Sequence, residues 1–545
     1  MKQTILKYSS LLALIGSPFI SSQIYAAECA TGASPDDSCT IDVSNTTYTL
    51  TGDINTNTTD NIIDFGAGAN SNTLNFIGDI TSEGLDARAF SFSDNDGNTL
   101  SMIGNIITEG NGAEGIKLFP GVTNADIDMT GNISTSGTDA YGVYILTSND
   151  NTTSITGNIT TTGDTSYGIG LNYSDSNTVN MTGSITTSGS TDSDAIRLNA
   201  SDSNTINMTG DISTSAIYSQ GFSITDSGGN SIEMTGDIST SGDSGVGIYM
   251  LRSDSNNYTM TGNISTSGFQ SSGVYILSSN DNTTSITGNV ATTGEDADAL
   301  KISGGDRNTI NVVGDISATN GGGFYIDLSD ENTINVTGNT TVGGSSDSAF
   351  DINQSNSNTL SVTGDITTSA SVSHGFEVSG DSNNITMTGD INTAGSNARG
   401  FDLYSSDSNT ILMTGNITTT NSEQADGIYL TGSDSNTITI NGNIVTSNSS
   451  SSSHSILLNN DSDNNTFNLS GLIQSKEEEN ETIYIADSAS QNNTFSFSEG
   501  SSVIGGFNNA GTNTILTNQG TIDSITNSGS IATFNNAQTG ATYSG

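Results

Sequence analysis

The sequence predicts an all-β protein, a right-handed parallel β-helix (β-solenoid) with about 26 residues and three short strands in each coil. Three observations predict this fold. A glycine-centred motif returns at a nearly fixed interval, apolar and polar residues alternate around it, and only 32% of the 545 residues are hydrophobic. A thin core running through stacked coils needs few apolar side chains, whereas several compact domains would need more.

The repeat is the motif Asn-Thr-Ile-x-Met-Thr-Gly-Asp/Asn-Ile, whose glycine occurs seventeen times from Gly52 to Gly471. Apolar side chains stand four and two residues before the glycine and two residues after it, as at Ile127, Met129 and Ile133. Side chains two residues apart share one face of a β-strand, so the motif predicts one strand before the glycine and one after it. About 17 coils are therefore expected, with more irregular coils towards the C-terminus.

A third strand is predicted about ten residues after the second, where another apolar pair stands two residues apart. Ile116 with Leu118, and Val143 with Ile145, are examples. Asparagine precedes the glycine by six residues in fifteen of the seventeen coils. These asparagines either hydrogen-bond from coil to coil or cap only their own turns, and both roles are structural.

The first residues read as a secretory signal peptide. Lys2 and Lys7 form a basic start, the run 11–15 is apolar, and Ile24-Tyr25-Ala26 offers a cleavage site. In an oxidising compartment Cys29 and Cys39 are expected to form a disulfide, the alternative being two free thiols. The predicted organisation is a signal peptide (1–27), an N-terminal cap with the cysteine pair (28–50), a regular solenoid (51–474) and an irregular β-helical region (475–545).

The charge balance limits the classes of partner. The chain has 58 acidic and 10 basic side chains and a formal net charge of −48. Nucleic-acid binding needs clustered Lys and Arg, and adsorption to an anionic membrane needs a basic surface. The composition therefore argues against both partners and favours a soluble, monomeric rod.

The exported, acidic, cysteine-poor solenoid resembles the passenger region of bacterial autotransporters (type V secretion). The resemblance also rests on the closing units Asn518-Gln519-Gly520-Thr521-Ile522 and Asn527-Ser528-Gly529-Ser530-Ile531. The resemblance implies an adhesin-like rod at the cell surface or outer membrane, or released outside the cell. It also implies, as partners, a host cell or matrix glycan or protein surface.

Members of that family cross the outer membrane through their own C-terminal β-barrel. The sequence up to Gly545 contains no run of alternating, aromatic-rich strands typical of such a barrel. We therefore expect that an outer-membrane translocator β-barrel, if the full-length product has one, follows Gly545.

The candidate binding residues form a column in the third strand, between its two inward apolar residues. By alternation they face outward, and exposed tyrosines near cations suit sugar or protein partners. The alternative is that tyrosine merely favours a half-buried strand. The column comprises Tyr144, Tyr249, Tyr275, Tyr325, Tyr429 and Tyr484, with Lys117, Arg197 and Lys301.

Two further hypotheses concern oxygen-rich surfaces. Aspartates of the Ser-Asp-Ser-Asn turns are candidate Ca²⁺ ligands, although solvated turns explain them as well; they are Asp175, Asp202, Asp254, Asp407 and Asp434. Outward threonines such as Thr160 and Thr162 are candidates for ice binding, but serines interrupt the array. The more regular threonines, such as Thr135 and Thr161, are expected to point inward. No cofactor is otherwise expected.

Catalysis finds little support. The two histidines, His374 and His454, are 80 residues apart, and no nucleophile elbow or zinc-binding histidine pair is present. The leading functional hypothesis is therefore adhesion or another surface interaction. The alternatives are a secreted ice- or glycan-binding solenoid and, third, a polysaccharide-degrading β-helix enzyme.

Overall fold

A computed structural model describes residues 38–420, 424–447, 453–475 and 481–537. The predicted signal peptide (1–27) and Cys29 lie outside these residues, so the disulfide to Cys39 stays a prediction. The chain divides into two compact units, residues 1–268 (unit 1) and 269–545 (unit 2), and each unit is considered by itself.

The elements of the described residues are all β-strands, arranged as a β-solenoid of about 18 turns with about 26 residues per coil. Each full coil gives one strand to each of three parallel sheets, which we number in the order in which the motif enters them. The predicted all-β solenoid with three short strands per coil is therefore confirmed.

Sheet 1 holds the strand before the motif glycine, where alternate residues are buried. Its strands in unit 1 are Thr47–Thr51, Thr73–Ile77, Thr99–Ile103, Asp126–Thr130, Thr152–Thr156, Thr178–Thr182, Thr205–Thr209, Ser231–Thr235 and Asn257–Thr261. Its strands in unit 2 are Thr283–Thr287, Thr309–Val313, Thr333–Thr337, Thr359–Thr363, Asn384–Thr388, Thr410–Thr414, Thr437–Asn441, Thr466–Ser470, Thr494–Phe497, Thr514–Asn518 and Ile531–Asn536.

Sheet 2 holds the short strand after the glycine. Its strands in unit 1 are Ile54–Thr56, Ile80–Ser82, Ile106–Thr108, Ile133–Thr135, Ile159–Thr161, Ile185–Thr187, Ile212–Thr214, Ile238–Thr240 and Ile264–Thr266. Its strands in unit 2 are Val290–Glu295, Ile316–Asn320, Thr340–Val342, Ile366–Thr368, Ile391–Thr393, Ile417–Thr419, Ile444–Thr446, Leu472–Ser475, Ser502–Ile504 and Thr521–Ile522.

Sheet 3 holds the third strand of each coil. Its strands in unit 1 are Cys39–Ile41, Ile63–Phe65, Phe90–Phe92, Ile116–Leu118, Val143–Leu146, Ile169–Asn172, Ile196–Asn199, Phe222–Thr225 and Ile248–Leu251. Its strands in unit 2 are Val274–Leu277, Leu300–Ser303, Phe324–Asp327, Phe350–Asn353, Phe376–Ser379, Phe401–Tyr404, Ile428–Thr431, Ile456–Asn459, Ile483–Ile485, Phe507–Asn509 and Ile525–Asn527.

The core consists of like side chains stacked from coil to coil. In unit 2 the rings of Phe350, Phe376 and Phe401 are stacked with centroids 4.9 Å apart and are fully buried. In unit 1 Met129 and Ile133 are at most 1% exposed. Because each coil repeats the same inward positions, few apolar residues per coil suffice to exclude water.

The inward threonines of sheet 2 have a structural role. Thr135 and Thr161 are at most 1% exposed. Their hydroxyls donate to the carbonyl oxygens of Ala140 and Ser166, at 2.6 and 2.8 Å, and so close the corner that leads to sheet 3. The predicted inward direction of this threonine is confirmed, and its regular occurrence follows from this hydrogen bond.

The asparagine column forms a buried ladder from coil to coil. The backbone N–H of Asn151 donates to Asn177 Oδ1 at 3.0 Å, and that of Asn177 donates to Asn204 Oδ1 at 2.8 Å. The side-chain amide of Asn177 also donates to the carbonyl of Asp175 in its own turn at 3.1 Å. Both structural roles considered for this asparagine therefore occur together.

The ends of the described chain differ in regularity. Residues Cys39–Ile41 already pair in parallel with Ile63–Phe65, and Thr47–Thr51 pair with Thr73–Ile77. Towards the C-terminus the coils shorten, and the side chains of Asn509 and Asn527 hydrogen-bond although only 18 residues separate them. Among the described residues, no helix has the length and apolar character needed to cross a membrane.

Candidate functional site

The tyrosines predicted to face outward occupy the same place in sheet 3. Tyr144 and Tyr249 in unit 1, and Tyr275, Tyr325 and Tyr429 in unit 2, are each the second residue of their strand. Each is half-buried between two buried neighbours, as alternation requires. Their role in binding stays a prediction.

The other members of the predicted column share that position. Arg197, Lys301 and Tyr484 are half-buried in their strands, while Lys117 is only 8% exposed. Desolvation lowers the pKa of Lys117, and the Glu114 carboxylate beside it works in the opposite direction. The column therefore carries cations that are largely withdrawn from water.

A second row of side chains lies three residues before this column, at the corner where each coil enters sheet 3. We call it the corner row, and its main members are Arg88, Glu114, Tyr141, Tyr167 and Asp194 in unit 1, and Asp298, His374, Arg399, Asp426 and His454 in unit 2. The alternation of inward and outward side chains along a strand does not predict the direction of these residues, because they precede the strand. Their signal in the sequence is a constant offset of three residues between oppositely charged partners.

The two rows enclose an open groove of about 530 Å³ in unit 1. We call it the tyrosine groove, and its walls include Arg88, Glu114, Lys117, Tyr141 and Tyr144. The ring centroid of Tyr141 is 4.6 Å from that of Tyr144, with a tilt of 57° between the rings. Tilted aromatic pairs at this separation attract each other, so these two rings are held in place without a ligand.

One end of the tyrosine groove is an ion-pair network. Arg88 Nε donates to Glu114 Oε2 at 2.5 Å, and Lys117 Nζ donates to Glu114 Oε1 at 2.6 Å. The same two cations lie over the ring of Phe119, at 5.1 and 4.7 Å from its centroid. Because the Glu114 side chain is only 2% exposed, the network is fixed and sets the shape of this end.

A second cluster, outside the lining of the groove, is built around Arg197. Its Nη1 donates to the Tyr167 hydroxyl at 2.5 Å and lies 3.2 Å from Asp192 Oδ1 and 3.6 Å from Asp194 Oδ2. Burial raises the pKa of Asp194 to about 7, although Arg197 opposes this shift. The Tyr141 and Tyr167 rings stack 4.9 Å apart, which connects this cluster to the groove.

Unit 2 repeats part of this chemistry. Lys301 Nζ lies 5.3 Å from the ring centroid of Tyr275 and 4.9 Å from that of Tyr325. It also lies 3.7 Å from Asp298 Oδ2. Burial raises the pKa of Tyr325 to about 12, so its hydroxyl stays protonated. This arrangement brings the predicted residues Tyr275, Lys301 and Tyr325 together on consecutive coils.

The next coils of unit 2 carry carboxylates in the same column. Asp351 follows Tyr325 in the ladder and is itself followed by Glu377. Burial, together with the negative charges of Glu377 and Asp298, raises the pKa of Asp351 to about 8. Burial also raises the pKa of Glu377. These carboxyl groups are therefore more easily protonated than ordinary surface acids.

We expect Asp351→Asn to stabilise the protein at pH 8 and to have little effect near pH 4. The folded-state pKa of about 8 lies above the unfolded value of 3.8, so the stabilisation from this group is complete below pH 4 and is lost as pH rises through 8. One pKa unit corresponds to about 1.4 kcal/mol, so we expect a gain of at least about 2 kcal/mol at pH 8.

Urea unfolding at pH 4 and pH 8 measures this effect. Glu331→Gln is the matched control, because it removes one negative charge from an exposed position of the same unit. An equal change in unfolding free energy for Asp351→Asn at both pH values would contradict the expectation.

The first histidine is part of a buried ionic ladder. His374 Nδ1 accepts a hydrogen bond from the backbone N–H of Arg399 at 3.0 Å, and its Nε2 lies 3.5 Å from Asp402 Oδ2. Arg399 Nη1 donates to the same Asp402 oxygen at 2.5 Å, and its guanidinium lies 3.7 Å from the ring centroid of Tyr429. Burial lowers the pKa of His374 to about 4, so the ring is neutral at pH 7.

The second histidine belongs to another part of the corner row. His454 Nδ1 lies 3.2 Å from Asp426 Oδ1, and its Nε2 lies 3.6 Å from Glu481 Oε2. Each histidine thus has its own carboxylate partners. Within the described residues, no group of three or more His, Cys, Asp or Glu side chains is placed to hold a metal ion.

The turn aspartates bind the backbone of the next coil. Asp175 Oδ1 accepts from the N–H of Asp202 at 2.8 Å, and Asp407 Oδ1 accepts from that of Asp434 at 2.7 Å. This hydrogen bond gives the turns a structural reason for their acidic residue, and Ca²⁺ binding stays a prediction. On sheet 2, Thr160 pairs with Ser134 on the preceding coil and with Thr186 on the next, so serine interrupts the array of outward threonines.

Comparison with known proteins gives little to add to this description. No protein-family model matches the sequence, and no curated protein matches it. Among solved structures, one chain of the cryo-EM structure of the Vag8–C1 inhibitor complex is similar, with a TM-score of 0.34 and 15% sequence identity. The similarity covers 87% of this chain and 98% of that chain. At that score it carries no weight for function, which rests on the groove alone.

Proposed function

We propose that this protein is an exported, surface-displayed β-solenoid that adheres to a target surface through sheet 3, with the tyrosine groove as the main contact. The observation that carries the proposal is the gathering of aromatic rings and cations in one open groove of about 530 Å³. Tyrosine and arginine are enriched at protein interfaces because they combine a large contact area with polar groups.

The rings of the groove are ordered before a ligand arrives. Tyr141 packs against Tyr144 and Tyr167, and Arg197 holds the Tyr167 hydroxyl. Side chains that are already fixed lose little conformational entropy on binding, so more of the contact energy appears as affinity. The predicted signal peptide agrees with a role outside the cytoplasm.

The proposal is tested by the double variant Tyr141→Ala/Tyr167→Ala. Fluorescently labelled mature protein is incubated with a panel of animal, plant and microbial cells and with extracellular matrix, and binding is followed by flow cytometry and by solid-phase titration. Truncating central aromatic contacts typically costs 2 kcal/mol or more, so we expect the apparent Kd to rise at least about 30-fold.

The matched control is Tyr218→Ala. This tyrosine is 59% exposed in the same unit and is not part of the tyrosine groove. We expect binding by the control to equal that of the unchanged protein. Equal binding by the double variant, with its circular dichroism unchanged, would remove the groove from the contact, and binding to no surface in the panel would remove adhesion itself.

A further inference from the structure

The tyrosine groove continues into a smaller hollow at Gly170. The outward column of sheet 3 runs from Tyr144 through Gly170 to Arg197. The coil between the two large side chains therefore has no side chain at this position. A hollow of about 120 Å³, which we call the Gly170 notch, lies between these side chains. A Cβ atom at Gly170 would lie 3.2 Å from Tyr144 Cδ2 and 3.3 Å from Tyr167 Cδ2, so two aromatic rings border the glycine directly.

The rim of the notch is formed by neutral hydrogen-bonding groups. Asn172 Nδ2 donates to the Tyr144 hydroxyl at 3.1 Å, and Asn199 Nδ2 donates to Asn172 Oδ1 at 2.7 Å. This chain of bonds leaves the Tyr144 O–H hydrogen and Asn199 Oδ1 without a partner among the described side chains. One donor and one acceptor are therefore free at the edge of an aromatic hollow.

The charge of the notch is balanced. Arg197 is its only cation among the lining residues, and Asp192 and Asp194 lie within 3.2 and 3.6 Å of it. The formal charge of −48 on the chain repels anionic ligands at long range. A cationic ligand would have to approach next to Arg197. An uncharged ligand meets neither penalty.

We propose that the Gly170 notch binds one ring of an uncharged saccharide, with an apolar face of the sugar against Tyr144 and Tyr167 and its hydroxyl groups on Tyr144 and Asn199. A pyranose offers both features at once, since its C–H bonds form an apolar face and its hydroxyl groups donate and accept at the rim. Ligand sites commonly combine such apolar walls with a few directed polar groups. This inference rests on the proposed function and assigns the chemical class of its ligand.

Two variants test the assignment. Gly170→Val places a side chain in the notch and pushes against the Tyr144 and Tyr167 rings, because its Cβ alone would lie 3.2 and 3.3 Å from them. It deletes no hydrogen-bonding group of the rim. We expect it to weaken saccharide binding at least 10-fold. Tyr144→Phe keeps the ring and removes the hydroxyl, and we expect about a fivefold loss, the usual worth of one hydrogen bond. Ser213→Val is the control, because it places the same β-branched residue at an exposed position of sheet 2.

The probe is an array of uncharged gluco-, galacto- and manno-oligosaccharides printed beside sulfated and sialylated ones, followed by calorimetric titration of the best uncharged probe. Binding to an uncharged probe, with the two graded losses and an unchanged control, supports the assignment. Binding only to sulfated or sialylated probes overturns the assignment. It is also overturned if both variants bind the uncharged probe with the affinity of the unchanged protein.

Periodate oxidation of the target surface separates this inference from the proposed function. Oxidation opens sugar rings at vicinal diols and leaves most of a protein surface intact. We expect adhesion to fall at least 10-fold after oxidation. Groove-dependent adhesion that survives oxidation, with no uncharged probe bound, means a protein partner: adhesion then stands and the saccharide assignment fails.

Discussion

Replacing the motif glycine of a single coil is expected to unfold that region, and we expect Gly131→Ala to lower the free energy of unfolding by about 4 kcal/mol. Gly131 has φ of +145°, which L-amino acids with a side chain rarely adopt. A Cβ atom there would also overlap the carbonyl oxygen of Gly104 on the preceding coil. The backbone strain at residue 131 and the overlap with Gly104 both destabilise the variant. Neither backbone can move away without disturbing the hydrogen bonds between neighbouring coils.

Urea unfolding followed by circular dichroism measures the loss, and hydrogen exchange shows where it occurs. Gly68→Ala is the matched control, because Gly68 has φ of +77° but its Cβ would meet no atom within 4 Å. We expect the control to cost only about 1 kcal/mol, from backbone strain alone. A similar loss for both variants would mean that the approach of neighbouring coils does not require the glycine.

The second large effect is expected at the buried asparagine ladder, where Asn204→Ala should cost about 3 kcal/mol. Asn204 Oδ1 accepts from the N–H of Asn177 at 2.8 Å, and its amide donates to the carbonyl of Ser174 at 2.9 Å. Asn204 is 1% exposed, so water cannot replace these bonds. Leaving a buried donor or acceptor without a partner costs about 1–3 kcal/mol, and alanine leaves two such groups.

Asn207→Ala in the same coil provides the comparison. Its amide also donates to an asparagine of the preceding coil, Asn180 Oδ1, at 2.8 Å, but this bond is exposed to solvent. We expect a change within about 0.5 kcal/mol, since water takes over the released groups. If the two variants unfold at the same urea concentration, burial is not what makes the ladder stabilising.

The solenoid could be predicted because its signals repeat. Gly131, Met129 and Ile133 recur with their equivalents in nearly every coil, so alternation and period together define the strands before and after the glycine. The asparagine ladder could be predicted only as one of two options, since the sequence does not show that the side chain serves its own turn and the next coil at once.

The candidate site was half predicted. Tyr144, Lys117 and Arg197 were found because they interrupt an apolar pair in a strand. Tyr141, which lines the groove, and Tyr167, which stacks against it, lie in the preceding corner, where no periodicity applies. Gly170 stands between Ile169 and Leu171, so the register already places it between Tyr144 and Arg197. The close approach of the Tyr167 ring is what the register does not show.

The same column changes its chemistry along unit 2. Its first coils carry Lys301 between Tyr275 and Tyr325, as unit 1 carries cations near tyrosines, whereas Asp351, Glu377 and Asp402 follow on consecutive coils. None of these side chains faces the core, so the fold does not dictate their identity. The chemistry of this column can therefore vary from coil to coil without changing the packing of the core.

That independence has a genetic consequence. Within each unit, the motif residues of one coil meet their own equivalents on the next, as Asn177 meets Asn204. Unequal crossing-over between such similar repeats adds or deletes a whole coil in frame, and the new neighbours still match. Gene variants with different numbers of coils are therefore expected to fold, and the coils that carry Tyr144 and Gly170 can be inherited as a cassette while the remainder of the repeat array lengthens or contracts.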